Sequence, residues 1–161
     1  NHRILFAELL AVETSVREII VEEESRGKGL SYKALEAMID IADRSLFQSL
    51  IAPVRPINKV EFPMMTMEDY IDLKREDGSI FDDWVRVHLK LGGQLMRICH
   101  RSFAIEASIQ EWEGWTEMTF PESGQNVIPG GIAPLYIDRP AGRGLYIEPN
   151  IWIHHKIKPN H

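Results

Sequence analysis

The chain has 161 residues, 44% of them hydrophobic and 26% charged, with a formal net charge of -6. This composition predicts one globular domain with its own core and excludes a disordered chain. The acidic balance excludes a general attraction to nucleic acid or to an anionic membrane, so any bound anion must be held by a local site.

The single cysteine, Cys99, rules out an internal disulfide. It fits a reducing compartment, and a cytoplasmic location is expected. No apolar run approaches the roughly 20 residues of a membrane helix, so no membrane partner is expected.

Residues 1–12 leave helix and strand open. Residues 16–21, Val-Arg-Glu-Ile-Ile-Val, are rich in β-branched side chains and predict a strand. An acidic run, Glu22 to Glu24, leads into Ser25-Arg26-Gly27-Lys28-Gly29. From Leu30 the apolar period lengthens to about 3.6: Leu30, Ala34, Leu35, Met38, Ile41, Ala42 and Leu46 form a stripe, predicting an amphipathic helix of about four turns. Residues 50–54 predict a second strand, parallel to the first, with Pro53 at an end, a bulge or an opening of the ladder.

Residues 55–63 read as loop. Thr66 and Asp69 have the spacing of a helix cap, followed by a short helix through Leu73. Asp82 or Asp83 is expected to cap a helix carrying Trp84, Val87, His88 and Leu91, ended by Gly92-Gly93. Strands are expected at 95–99 and 103–107, then helical spacing over 109–115. Beyond Val127 the chain reads as β-rich, with a hairpin signal at Arg139-Pro140-Ala141-Gly142. No repeat, low-complexity tract or linker appears, so a single domain over 1–161 is expected.

The strongest chemical signal is strand, Gly-x-Gly turn, helix. Amides at a helix start have no internal partner, the helix dipole adds positive character, and glycines allow close approach. Such a turn can hold a phosphate or pyrophosphate, assisted by Arg26 and Lys28. It can equally be a surface turn with two solvated basic residues. A dinucleotide fingerprint would need glycine at Tyr32, and the P-loop spacing is absent.

Glu24-Ser25-Arg26-Gly27-Lys28-Gly29 resembles the Gln/Arg-x-x-Gly-x-Gly/Ala signature of GNAT-superfamily acyltransferases, with Glu24 standing where Gln or Arg is usual. Further likeness to an uncharacterised branch of that superfamily lies in residues 26–31, Ala52-Pro53-Val54-Arg55-Pro56, Phe81-Asp82-Asp83-Trp84 and Glu148-Pro149-Asn150-Ile151-Trp152. The resemblance implies an α+β fold: a mixed, mostly antiparallel sheet flanked by helices, with a C-terminal β-rich extension. The superfamily places more strands and helices before the signature strand than the roughly 15 residues found here, so the first elements are expected to be missing.

The implied reaction is transfer of an acyl group, acetyl above all, from acyl-CoA to a small-molecule amine. The implied coenzyme contacts are Val21, Arg26, Gly27, Lys28, Gly29, Leu30, Ser31 and Asn58. For proton transfer the candidates are Glu18 as base and His88 or Tyr70 as acid. Each has a plain alternative: Glu18 as a solvent-facing strand residue, His88 as a buried neighbour of Trp84, Tyr70 as core. Arg55 and Lys59 fit a coenzyme phosphate or an acidic acceptor, and Arg55 fits an ion pair with a carboxylate in a Pro-flanked loop equally well. His154 and His155 adjoin on a strand and point to opposite faces, so no shared metal is expected. Two rival functions remain: an acyl-CoA-binding module without turnover, and a structural domain whose turn binds nothing. A homo-oligomer is compatible with either.

Overall fold

The computed structural model describes residues 4–6 and 30–157, with the backbone alone for 4–6, 30 and 31. In chain order the elements are β1 (Ile4–Phe6), α1 (Leu30–Arg44), β2 (Ser49–Val54), a 3-10 turn (Asn58–Glu61), α2 (Met67–Asp72), α3 (Asp83–Lys90), β3 (Gln94–Ser108), α4 (Ile109–Thr116), β4 (Gly124–Asn126), β5 (Leu135–Asp138) and β6 (Arg143–Lys156). The expected strand at 16–21 lies outside the described residues, as do Glu18, Val21 and the turn from Arg26 to Gly29. The chain divides into two compact units. Among the described residues no helix is long and apolar enough to cross a membrane.

The first unit comprises Asn1–Val54, Asp83–Arg97 and Ile151–His161. Helix α1 follows its apolar period: Leu35 and Ala42 are fully buried, and Met38 and Ile39 pack beside them. Leu50 and Ile157 complete that core, with Phe47, Trp84, Val87 and Leu91 around it. Two members of the expected stripe are corrected. Ile41 is 48% exposed, because six residues beyond Leu35 it has rotated off the buried face, where Ile39 sits instead. Leu46 is 66% exposed and lies past the helix end in a left-handed conformation, φ 59°. There Leu46 N–H donates to Asp43 O (2.8 Å) and Phe47 N–H to Ala42 O (2.9 Å). This is the glycine-type helix stop built on leucine, and it turns Phe47 back onto the core.

In this unit β2 lies between β1, parallel to it, and the end of β6, antiparallel to it. The described parallel neighbour of β2 is thus Ile4–Phe6, and it pairs only with Ser49–Ile51. Pro53 stands opposite Trp152 of β6. Lacking an N–H, it breaks no bond to β6 if its nitrogen faces the other edge, beyond the reach of β1.

The second unit comprises Arg55–Asp82 and Ile98–Asn150. Its core is Ile109, Trp112, Phe120, Ile128, Leu135, Ile137 and Tyr146. Helix α2 starts as expected: the Thr66 hydroxyl accepts from Asp69 N–H. Helix α4 has a full capping box between Ser108 and Glu111. The hairpin at 139–142 forms, closing with Gly142 N–H to Arg139 O (3.0 Å) and Gly142 at φ 68°. Strand β5 pairs antiparallel with β4 and with the start of β6. The strands expected at 95–99 and 103–107 are one strand, β3, which pairs with β6. No glycine or proline interrupts it, so nothing in 100–102 breaks the ladder. Apart from β1 with β2, every registered pair is antiparallel, as the expected α+β class requires.

Candidate functional site

The residues expected to matter fall into three described places. The first is the start of α1. Leu30 opens the helix directly after Gly29, so the amides of its first turn, Leu30 and Ser31 among them, have no partner within the helix.

The second lies in the first unit. His88 is buried on α3, its ring edge-on to Trp84 with centroids 4.6 Å apart. Its Nδ1 lies 3.0 Å from Nε2 of buried His155 on β6. Burial, and then the neighbouring His155 ring, push the His88 pKa down to about 3. The ring is therefore neutral at pH 7. His154, the next residue, meets the Ser49 hydroxyl instead, at 2.9 Å. The two adjacent histidines thus serve different partners, as strand alternation dictates.

The third lies in the second unit and is a set of buried polar groups. Tyr70 is buried on α2, and its hydroxyl donates to Asp82 Oδ2 at 2.8 Å. The same oxygen accepts Asn58 N–H at 2.9 Å. Tyr70 and Asn58, singled out separately in the sequence, therefore meet at one carboxylate that had been expected only as a helix cap. Phe62 and Phe81 surround the phenol.

Lys59 is fully buried. Its ammonium donates to the carbonyls of Phe62 (2.6 Å), Met65 (2.7 Å) and Ile132 (3.1 Å). An ammonium has three protons, and each finds an acceptor here. Burial lowers its pKa. Lys59 thus acts as a clamp on loop carbonyls, a role that the sequence did not suggest for it.

Arg55 donates through Nε to Glu148 Oε1 (2.9 Å) and through Nη2 to Gly130 O (2.8 Å). Burial opposes its charge, but the bond and attraction to Glu148 prevail and its pKa is raised. Glu148 Oε2 accepts from the Tyr146 hydroxyl at 2.8 Å, and that hydroxyl accepts Ile132 N–H at 3.1 Å. Burial, then Glu148, push the Tyr146 pKa up to about 12. The segment around Gly130 and Ile132 is so held by Arg55, Tyr146 and Lys59 together. Sequence reading missed Tyr146 and Glu148, although their i, i+2 spacing on a strand puts both on one face. Tyr70 belongs to the second unit and His88 to the first. Among the described residues no group of three or more His, Cys, Asp or Glu could hold a metal ion.

Comparison with known proteins adds a relationship. No family model matches the chain. An arginine N-acetyltransferase of Aspergillus versicolor is 32% identical to it over 157 residues, covering 86% of this chain and 54% of the relative. The loading GNATL domain of CurA from Lyngbya majuscula superposes with a TM-score of 0.51 at 17% identity, covering 97% of this chain and 68% of that one. The chain has a GNAT-like fold and is similar in sequence to an N-acetyltransferase. It spans about half the length of the curated relative it matches.

Proposed function

We propose that this chain takes part in N-acetyl transfer, moving an acetyl group from acetyl-CoA to the amine of a small molecule. The observation that carries the proposal is the 32% identity to an arginine N-acetyltransferase over 86% of the chain. The start of α1 immediately after the sequence Gly27-Lys28-Gly29 supports it, because the amides of Leu30 and Ser31, which have no partner within the helix, suit a pyrophosphate.

Arginine is the first acceptor to test. Its guanidinium stays protonated far above neutral pH and is a poor nucleophile, whereas its α-amine loses its proton several pH units lower and supplies the neutral nucleophile. The α-nitrogen attacks the thioester carbonyl and a C–N bond forms. The tetrahedral oxyanion collapses, the C–S bond breaks, and the amine proton passes to a base, for which Glu18 is proposed. The leaving thiolate takes a proton from solvent or from a protein acid. For Tyr70 or His88 to be that acid, each ring must leave the buried partner that now holds it, Asp82 or His155.

That burial favours a second reading, in which acyl-CoA is bound without turnover. One experiment addresses both. Acetyl-CoA at about 100 times its Kd should stabilise the protein by ~2.7 kcal/mol. Thiol release with L-arginine should exceed that with N-α-blocked arginine. Gly27→Glu should abolish both while the protein still melts cooperatively. Stabilisation without thiol release over a panel of amines would select the binding module. No stabilisation by any CoA species would overturn the proposal.

A further inference from the structure

The histidine pair in the first unit is independent of the acyl-transfer reading. His88 Nδ1 and His155 Nε2 are 3.0 Å apart, a distance at which one N–H donates and the other nitrogen accepts. The pair is sealed. A Cβ placed on Gly93 would meet His88 O at 2.7 Å, His155 Cε1 at 2.8 Å and Ile153 Cγ2 at 2.8 Å, so the turn backbone lies directly against the imidazole. Trp84 closes the other ring edge-on. His155 Nδ1 is buried and makes no hydrogen bond of normal geometry among the described residues, and the Leu91 carbonyl is the one backbone acceptor that acts on this ring.

No carboxylate described in the unit compensates a charge placed there. On α3, Asp83 is occupied with Arg86, and Lys90 is exposed. On β6, His154 adds a like-charge penalty to His155, and Lys156 is exposed. Strand β2 offers Ser49, already bonded to His154. Helix α1 brings Leu35, Met38, Ile39 and Ala42 to the core around Trp84, while Lys33, Glu36, Asp40 and Arg44 are exposed and Asp43 is partly so. The Leu91 carbonyl is the one group that favours a charged His155, and burial outweighs it.

We propose that His88 and His155 form a proton-sensitive latch that holds α3 and the Gly92-Gly93 turn on β6 while both rings are neutral, and releases them in acid. One added proton puts an ion where only an imidazole and a carbonyl can solvate it. A second leaves two N–H groups facing each other across 3.0 Å. The opened state has neither problem and binds protons more readily. Because the folded pKa values lie below the ordinary value of 6.5, the latch is at full strength above about pH 6.5. It weakens as pH falls from there, and for His88 the weakening continues toward about 3.

The test needs no variant at first. Histidine ring NMR should show the His88 ring neutral at pH 6 and the His155 ring titrating below the ordinary 6.5. Amide exchange, corrected for its intrinsic pH dependence, should show α3 and residues 151–156 opening more often as pH is lowered. From pH 6.5 to 5.0, with an ordinary value of 6.5 in the opened state, the opening constant should rise about 16-fold for one proton taken up and approach about 270-fold for two. His155→Gln, if folded, should lose most of that acid dependence. Rings that titrate near 6.5 in the folded protein would overturn the latch. So would an opening constant in wild type that does not change with pH.

Discussion

The two units solve the same problem, how to bury a titratable side chain, in opposite ways. In the second unit each buried ion described here is supplied with partners: Lys59 with three carbonyls, Glu148 with a guanidinium and a phenol, Asp82 with a phenol and an amide. In the first unit the buried titratable groups, His88 and His155, have mainly each other. The comparison teaches that a satisfied network is vulnerable to losing a member, whereas an unsupported pair is vulnerable to gaining a proton.

The largest effect is expected where a network member is removed. Glu148→Leu should cost about 3–5 kcal/mol in urea unfolding, because it leaves Arg55 half-buried without its anion and Tyr146 without an acceptor. The double variant Arg55→Met/Glu148→Leu should recover part of that loss. A double variant no better than the single one would show that Arg55 is indifferent to its partner.

Next comes a matched pair of substitutions that asks whether the two interiors are equally tight. A Cβ on Gly144 would lie 2.7 Å from Trp112 Cδ1 and 2.9 Å from Ile137 Cδ1, much as one on Gly93 would meet His88 O and His155. Gly93→Ala and Gly144→Ala should each lower stability by roughly 1–3 kcal/mol. A neutral result at either position would identify the looser unit by thermal melting. The smallest change is a helix cap: Ser108→Ala removes the hydroxyl that accepts Glu111 N–H and donates to Glu111 Oε2, leaves the Ser108 N–H bond to that carboxylate, and should cost ~1 kcal/mol. No pH dependence between 7 and 5 is expected for that difference, in contrast to the histidine latch.

How much of this was legible beforehand depended on how local the cause was. Helix α1, the cap at Thr66 and the turn at Gly142 follow from neighbours within five residues of each other, and each appeared where the residue pattern put it. The capping box at Ser108 was equally local and could have been read from Ser-x-x-Glu before an apolar helix. What escaped was long-range. His88 and His155 are 67 residues apart, and Arg55 and Glu148 are 93 apart. Nothing in the neighbourhood of Lys59, a lysine between two prolines, signals that it will be buried under carbonyls of its own loop and of Ile132, 73 residues away. The proposed coenzyme turn was readable only as chemistry, because residues 26–29 lie outside the described residues.

Strand β6 carries a consequence for how the protein is made. Its residues Leu145 and Tyr146 belong to one unit and Ile151 to Lys156 to the other, and each stretch pairs with strands of its own unit. During synthesis the second unit's interior cannot close before Tyr146 has been made, nor the first unit's before Ile157. No single cut in the gene yields either unit as an uninterrupted stretch.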